Sequence, residues 1–262
     1  MAFPGKTVAS TFKDILQIDN SNAGISTSLK VVKDGTGNQS SLYISDDQIK
    51  IQPENDDTTA LLEVKDKDGD QMLLVDSSND AIKSFGHHLN TKYAYFGMAY
   101  DGTASWAANT HYPVIYNGHY IVHGAADVDF GGGTDPDDTF TTADTDTQYA
   151  SQIVPMLWRV PDNITIDSVT HVEGADNATG DTTRMHLKSF TFTSGATACL
   201  TAGALLAHNS DITNAGNEQP YLSTWTVDSA DVDANKVILC FFRSDSNNSD
   251  FSLNVTVKYH LR

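Results

Sequence analysis

Glutamate is scarce: of 34 acidic residues in 262, only Glu54, Glu63, Glu173 and Glu218 are glutamate, and the rest are aspartate. Aspartate's short carboxylate competes for nearby backbone N–H groups and favours turns and caps over helix interiors, so extensive helix is excluded. Basic residues are also few, 16 in all, which leaves a net charge of −18 and excludes a nucleic-acid clamp. The two cysteines, Cys199 and Cys240, each lie in an apolar stretch and read as buried free thiols, not as a disulfide framework. No apolar run approaches the length of a membrane-spanning helix. The opening residues 1–6 lack the apolar stretch of a secretory signal, so the expectation is synthesis in a cytoplasm, with the Asn-x-Ser/Thr triplets at Asn163, Asn177, Asn247 and Asn254 unmodified.

Catalytic patterns are missing as well. The nine histidines form no HExxH helix and no Cys/His ligand spacing, and no G-x-S-x-G elbow occurs. Gly131, Gly132 and Gly133 sit among acids that would repel phosphate, so they are not a phosphate cradle. A glycosidase needs two carboxylates at a set separation, but the abundant aspartates offer no preferred pair. The chain is therefore read as no enzyme, with no catalytic residue and no cofactor.

What is present is a turn-rich composition, with 28 Thr, 22 Ser, 18 Gly and 17 Asn beside the aspartates. It predicts an all-β protein: a short N-terminal β stalk followed by an antiparallel, jelly-roll-like β-sandwich. Residues 1–90 alternate short apolar strands with polar turns, as in Val31, Asp34 to Asn38, Leu42 and Ile44, then Ile49 and Ile51. Leu16 to Ile25 echoes Leu73 to Ile82 at an offset of 57 residues, and Leu62 to Asp66 adds a partial copy. Strands this short cannot bury enough to offset their own ordering, so they are expected to stack on identical neighbours in an oligomer.

From Tyr93 aromatics become dense and strands lengthen, placing a boundary near 84–92. Asn117-Gly118 predicts a tight hairpin turn between 114–116 and 120–122. Later strands are predicted at 156–160, 164–172, 185–192, 221–227, 237–242 and 251–261, the last alternating from Phe251 to Leu261. Helix is expected only near 12–16 and 199–208. Residues 127–147, rich in Asp and Gly, read as a long mobile loop. No metal site is assigned; Asp135, Asp137 and Asp138, with Asp127 and Asp129, are the candidates for calcium, against a solvated acidic loop. The run Asp66 to Asp70 is read as a turn, because its glycine comes too early for a calcium loop. His87 or His88 could meet its copies on a trimer axis. Among aromatics, Tyr95, Tyr100, Trp106 and Tyr112 are candidates to stack on a receptor, the last three being the preferred set.

The pattern at 60–76, an apolar strand, an Asp/Gly turn and a second apolar strand, resembles the repeat of trimeric bacteriophage fibre stalks. Residues 11–25 with 31–35 are similar to the start of virion proteins of marine tailed phages, and 159–166, 229–233 and 258–261 to their distal β-sandwich domains. The resemblance implies a homotrimeric tail fibre or spike: 1–28 attaching to another virion protein, 29–90 a trimeric stalk, 91–262 a sandwich contacting host glycan or protein. It further implies location in the virion, while the net charge and the lack of a long apolar run give the expectation of no nucleic-acid partner and no membrane insertion. Alternatives are a capsid-attached head fibre or decoration protein, a host-polysaccharide depolymerase, and a carbohydrate-binding module. No long repeat array follows residue 90, so the expected stalk is short.

Overall fold

The computed structural model describes residues 13, 15–21, 23–100, 107–118, 128–142, 148–176, 179–215, 219–246 and 250–262. The chain divides into two units, Met1–Leu89 and Asn90–Arg262. Regular structure is almost entirely antiparallel strand, so the protein is all-β.

The first unit holds two four-stranded meanders, each pairing its strands in chain order. One contains β1 (Gln17–Ile18), β2 (Lys30–Lys33), β3 (Gln39–Ile44) and β4 (Ile49–Ile51); the other β5 (Leu62–Lys65), β6 (Gln71–Asp76), β7 (Ala81–Ser84) and β8 (His87–His88). The β2–β3 and β5–β6 turns are the same device. Asp34 Oδ1 accepts the N–H groups of Thr36 and Asn38, each at 2.9 Å, and Asp66 Oδ1 those of Asp68 and Asp70, each at 2.9 Å. Gly37 (φ 93°) and Gly69 (φ 94°) then take the left-handed backbone that closes each turn. Side-chain bonds from Asn38 and Thr36 hold the Asp34 carboxyl down at about 2. The structural repeat runs from Asp34 to Asp66 and takes the flanking strands with it, since β2 and β3 recur as β5 and β6 about the same turn, an offset different from that of the 57-residue echo.

The second unit is a jelly roll. Its strands are β9 (Thr91–Tyr100), β10 (Tyr112–Tyr116), β11 (Trp158–Arg159), β12 (Ile164–Asp176), β13 (Thr182–Phe192), β14 (Leu200–His208) and β15 (Ile212–Thr213). They continue as β16 (Gln219–Thr224), β17 (Thr226–Val227), β18 (Asp231–Val232), β19 (Lys236–Ser244) and β20 (Asp250–Leu261). One sheet runs β16-β12-β20-β9-β10 and the other β10-β19-β13-β14-β17, with β18, β11 and β15 as short additions. The sheets are joined at both ends by segments that pass from one to the other. Residues 112–114 of β10 pair with β19 while 115–116 pair with β9. At the opposite end Trp225 joins β16 to β17, and its N–H donates to the Val169 carbonyl at 3.0 Å.

All of the main core lies in this unit. Alternation puts Phe96 and Met98, Val169 and Ala175, and Phe251 to Val257 inward from one sheet, facing Met185, Leu187, Ile238, Cys240 and Phe242. Both cysteines are free and buried, and burial pushes their thiols up. The helix expected at 199–208 is instead β14, a correction: its alanines and leucines suit a helix, but pairing with β13 from His186 to Phe192 overrides that weak preference. Among the described residues a short helix spans Ala150–Ile153 and is continued by a 3-10 turn, Val154–Met156. Asn117 has φ 52°, as the predicted turn requires, and the return strand lies outside the described residues.

Candidate functional site

The expected mobile acidic loop is corrected over its described part. Residues 128–142 form a strap against the outer side of the β19-β13-β14 sheet, with Val128, Phe130 and Phe140 buried. Phe130 lies 4.7 Å from Phe241 and 5.3 Å from Phe140, ring centre to ring centre. Three of the strap's backbone N–H groups point into the sandwich or back on the strap: Phe130 to His111, Asp137 to Phe130, and Phe140 to Leu200, at 2.7–2.9 Å. On the β14 side, Gly203 N–H donates to Asp138 O at 2.9 Å; a Cβ at Gly203 would come 2.8 Å from Asp138 Cα.

The three candidate calcium ligands do not converge. Asp135 faces His186 (3.5 Å), Asp138 pairs with the buried Lys188 ammonium (2.5 Å), and Asp137 lies against Gly131. Lys188 also donates to the Pro136 carbonyl. Asp135 and Asp138 face different partners and the three carboxylates form no group of converging ligand atoms, so the cluster read from sequence is dispersed by the fold; Asp127 lies outside the described residues. Gly131 has φ 79°, and a Cβ there would come 2.7 Å from Asp137 Oδ1. Gly131→Ala is expected to cost about 1–2 kcal/mol, read as a lower urea midpoint.

Of the receptor candidates, Tyr112 is a correction: it is only 3% exposed, and its hydroxyl accepts the Ala107 N–H at 2.8 Å. As β10 crosses between the sheets, the Tyr112 ring is drawn into the core and cannot stack on a ligand. Trp106 and the Tyr100 side chain lie outside the described residues. Tyr95 is 50% exposed, and Tyr93, two positions earlier on the same face of β9, is 52% exposed.

These tyrosines belong to an unusual surface for so acidic a chain. Following the register through β16, β12, β20 and β9, the outward positions from Tyr93 to Ala99, Ser168 to Gly174, Ser252 to Lys258 and Pro220 to Thr224 carry no carboxylate. Lys258, opposite Tyr93, is their one charge, and Val172 and Leu222 stand exposed beside each other. Charge depletion with exposed tyrosine is the composition of a contact surface.

A second uncovered surface lies in the first unit, where Val31, Val32 and Ala81 are the buried apolar residues among those described. In the first meander Ile49 pairs with Ile44 and Ile51 with Leu42, all on one face. In the second, Leu62, Val75 and Ile82 are aligned across three strands, with Val64 opposite Leu73 on the same face. Ile49 is 74% and Ile82 50% exposed. His87 and His88 form β8, paired with Ser84 and Lys83.

Inside the jelly roll, polar residues replace the expected apolar ones on β12. Glu173 accepts the Thr183 hydroxyl at 2.8 and 2.9 Å, and His171 Nε2 lies 3.3 Å from it. The Trp225 indole N–H donates to His171 Nδ1 at 2.6 Å, which assigns the imidazole proton to Nε2. Sequence alternation marks both positions as inward, the one signal available for them. His171 and Glu173 are sealed from solvent, so the arrangement acts on packing and not on a substrate.

No family model matches the chain, and no curated protein matches it. Among solved structures, an aminopeptidase from a marine sediment archaeon, Thaumarchaeota archaeon, aligns with TM-score 0.32 and 8% identity over 72% of this chain, which spans 40% of that protein. The Eiger TNF of S. frugiperda aligns with TM-score 0.27 and 11% identity over 66% of this chain and 94% of that one. Likenesses this low carry no assignment. Among the described residues no helix is long and apolar enough to cross a membrane.

Proposed function

We propose that the protein is a non-enzymatic bacteriophage virion component, a homotrimeric tail fibre or spike. The two meanders form its stalk, the N-terminal segment docks on another virion protein, and the jelly roll meets the host surface. One observation carries this reading: each meander has an apolar face that the described residues of its own chain leave partly open. Copies arranged about a common axis would cover those faces with one another. The resemblance of 60–76 to fibre stalks supports the same arrangement. The carboxylate-free stretch of the outer face of the β16-β12-β20-β9 sheet, from Tyr93 to Ala99 and its cross-strand partners, supports host contact by the jelly roll, with Tyr93 and Tyr95 in the place first given to Tyr112.

Light scattering of the full chain over a range of concentrations tests the assembly. The expected mass is that of three 28.4-kDa chains, unchanged on dilution. A monomer at all concentrations overturns the stalk and, with it, the fibre.

A further inference from the structure

We propose that the strap 128–142 is an acid-released clasp, freed from the jelly roll when the buried histidine pair beneath it, His111 and His186, takes up protons. This goes beyond the virion reading and does not depend on it.

The pair is built so that a proton has no place in the closed state. His111 Nδ1 lies 3.0 Å from the Gly131 carbonyl and so must be the donor, leaving Nε2 as the site to protonate. That Nε2 is buried without a hydrogen-bond partner, as is His186 Nδ1. A proton on either would create a buried, unmatched charge. The two rings are edge to face, 4.9 Å between centres, so charging both places like charges in contact.

The surroundings add to the opposition. Arg184 and Lys188 on β13 and Arg243 on β19 bring positive charge toward the pair, as would a protonated His208 on β14, stacked 6.4 Å from His186. Arg184 is tied to Asp211, Arg243 to Asn109, Lys188 to Asp138, and His208 to Asp228 at 2.7 Å. Asp135, at 3.5 Å from His186 Nε2, is the carboxylate facing the pair, and its own side chain is half in water. Burial is the main cause that holds His111 down at about 4 and His186 at about 3.

The strap is what closes the site. The His111 N–H donates to Gly131 O at 3.0 Å, and the Phe130 N–H returns to His111 O at 2.9 Å, so the same residue that resists the proton anchors one end. Once the strap lifts, both imidazoles reach water and recover the ordinary histidine affinity near pH 6.5. The open state therefore binds more protons than the closed one between roughly pH 6.5 and the depressed native values. Closure is complete above that window and is lost as pH falls through it.

Hydrogen exchange of the full chain, corrected for the intrinsic pH dependence of exchange, tests this. From pH 7 to pH 5, opening at the amides of Phe130, Asp137, Phe140 and Gly203 is expected to rise about twentyfold for each histidine and several hundredfold for the pair. Amides of β12 and β20 should stay protected. His186→Phe keeps the ring and removes its proton, so its rise should shrink to about twentyfold. The proposal is overturned if strap protection does not change over this range, if it is lost together with that of β12 and β20, or if His186→Phe keeps the full rise. Should that variant not fold, the series on the unmodified protein decides alone.

Discussion

A Glu173→Ala variant is expected to lose about 2–5 kcal/mol of unfolding free energy, roughly 1–3 for each buried donor left unpaired and a large part of the margin of an ordinary domain. The carboxylate is 1% exposed and receives both the Thr183 hydroxyl and the His171 Nε2–H. Truncation leaves those two donors buried with nothing to accept them, and the uncompensated desolvation is the main loss. Glu173→Gln keeps a carbonyl oxygen to accept from His171 and an amide to bond the Thr183 hydroxyl, and leaves the Trp225–His171 bond in place, so most of the stability should be retained. Urea unfolding followed by tryptophan fluorescence reads both results, since Trp225 bonds directly to His171. A Glu173→Ala protein as stable as the parent would mean that the network is not formed as described.

The second large effect concerns assembly. Ile49→Asp combined with Ile82→Asp is expected to convert the proposed trimer to monomers while the thermal unfolding of the jelly roll stays unchanged. Covering an exposed isoleucine stabilises by about 1.5–3 kcal/mol, and each replaced position recurs in every copy around the axis. The new carboxylates would also face one another in a chain already at −18. Light scattering and calorimetry on the same sample read the two halves of this expectation. A variant that remains trimeric would remove these faces from the contact.

Much of the strand pattern was legible because period-two alternation is a direct image of a half-buried sheet: Phe251 to Leu261 is predicted and observed as β20. The Asp/Gly turns were legible for a local reason, since one carboxylate and one left-handed glycine suffice to make them. The strap was not. Its acids and glycines dominate the composition, while Phe130 and Phe140 are isolated in sequence and come together, with Phe130 against Phe241 and Phe190, only through the fold. Likewise Tyr112 gives no local sign that β10 changes sheets, and His111 lies far in sequence from His186. Distant partners of this kind are decided by topology, which short windows of residues do not carry.

The transfer of residues 219–227 from one sheet to the other at Trp225 bears on how the domain behaves at high local concentration. An unpaired strand edge invites a neighbouring chain to continue the sheet, the route to uncontrolled aggregation. Here β10 closes one side, and the outer edge of β14 is occupied by β17 at Ala207 and His208 and by the strap at Leu200 and Gly203. Among the described residues β16 keeps an open edge, where Pro220 withholds an N–H donor. Crowded copies would therefore meet through side chains on sheet faces, with little backbone left to template one another.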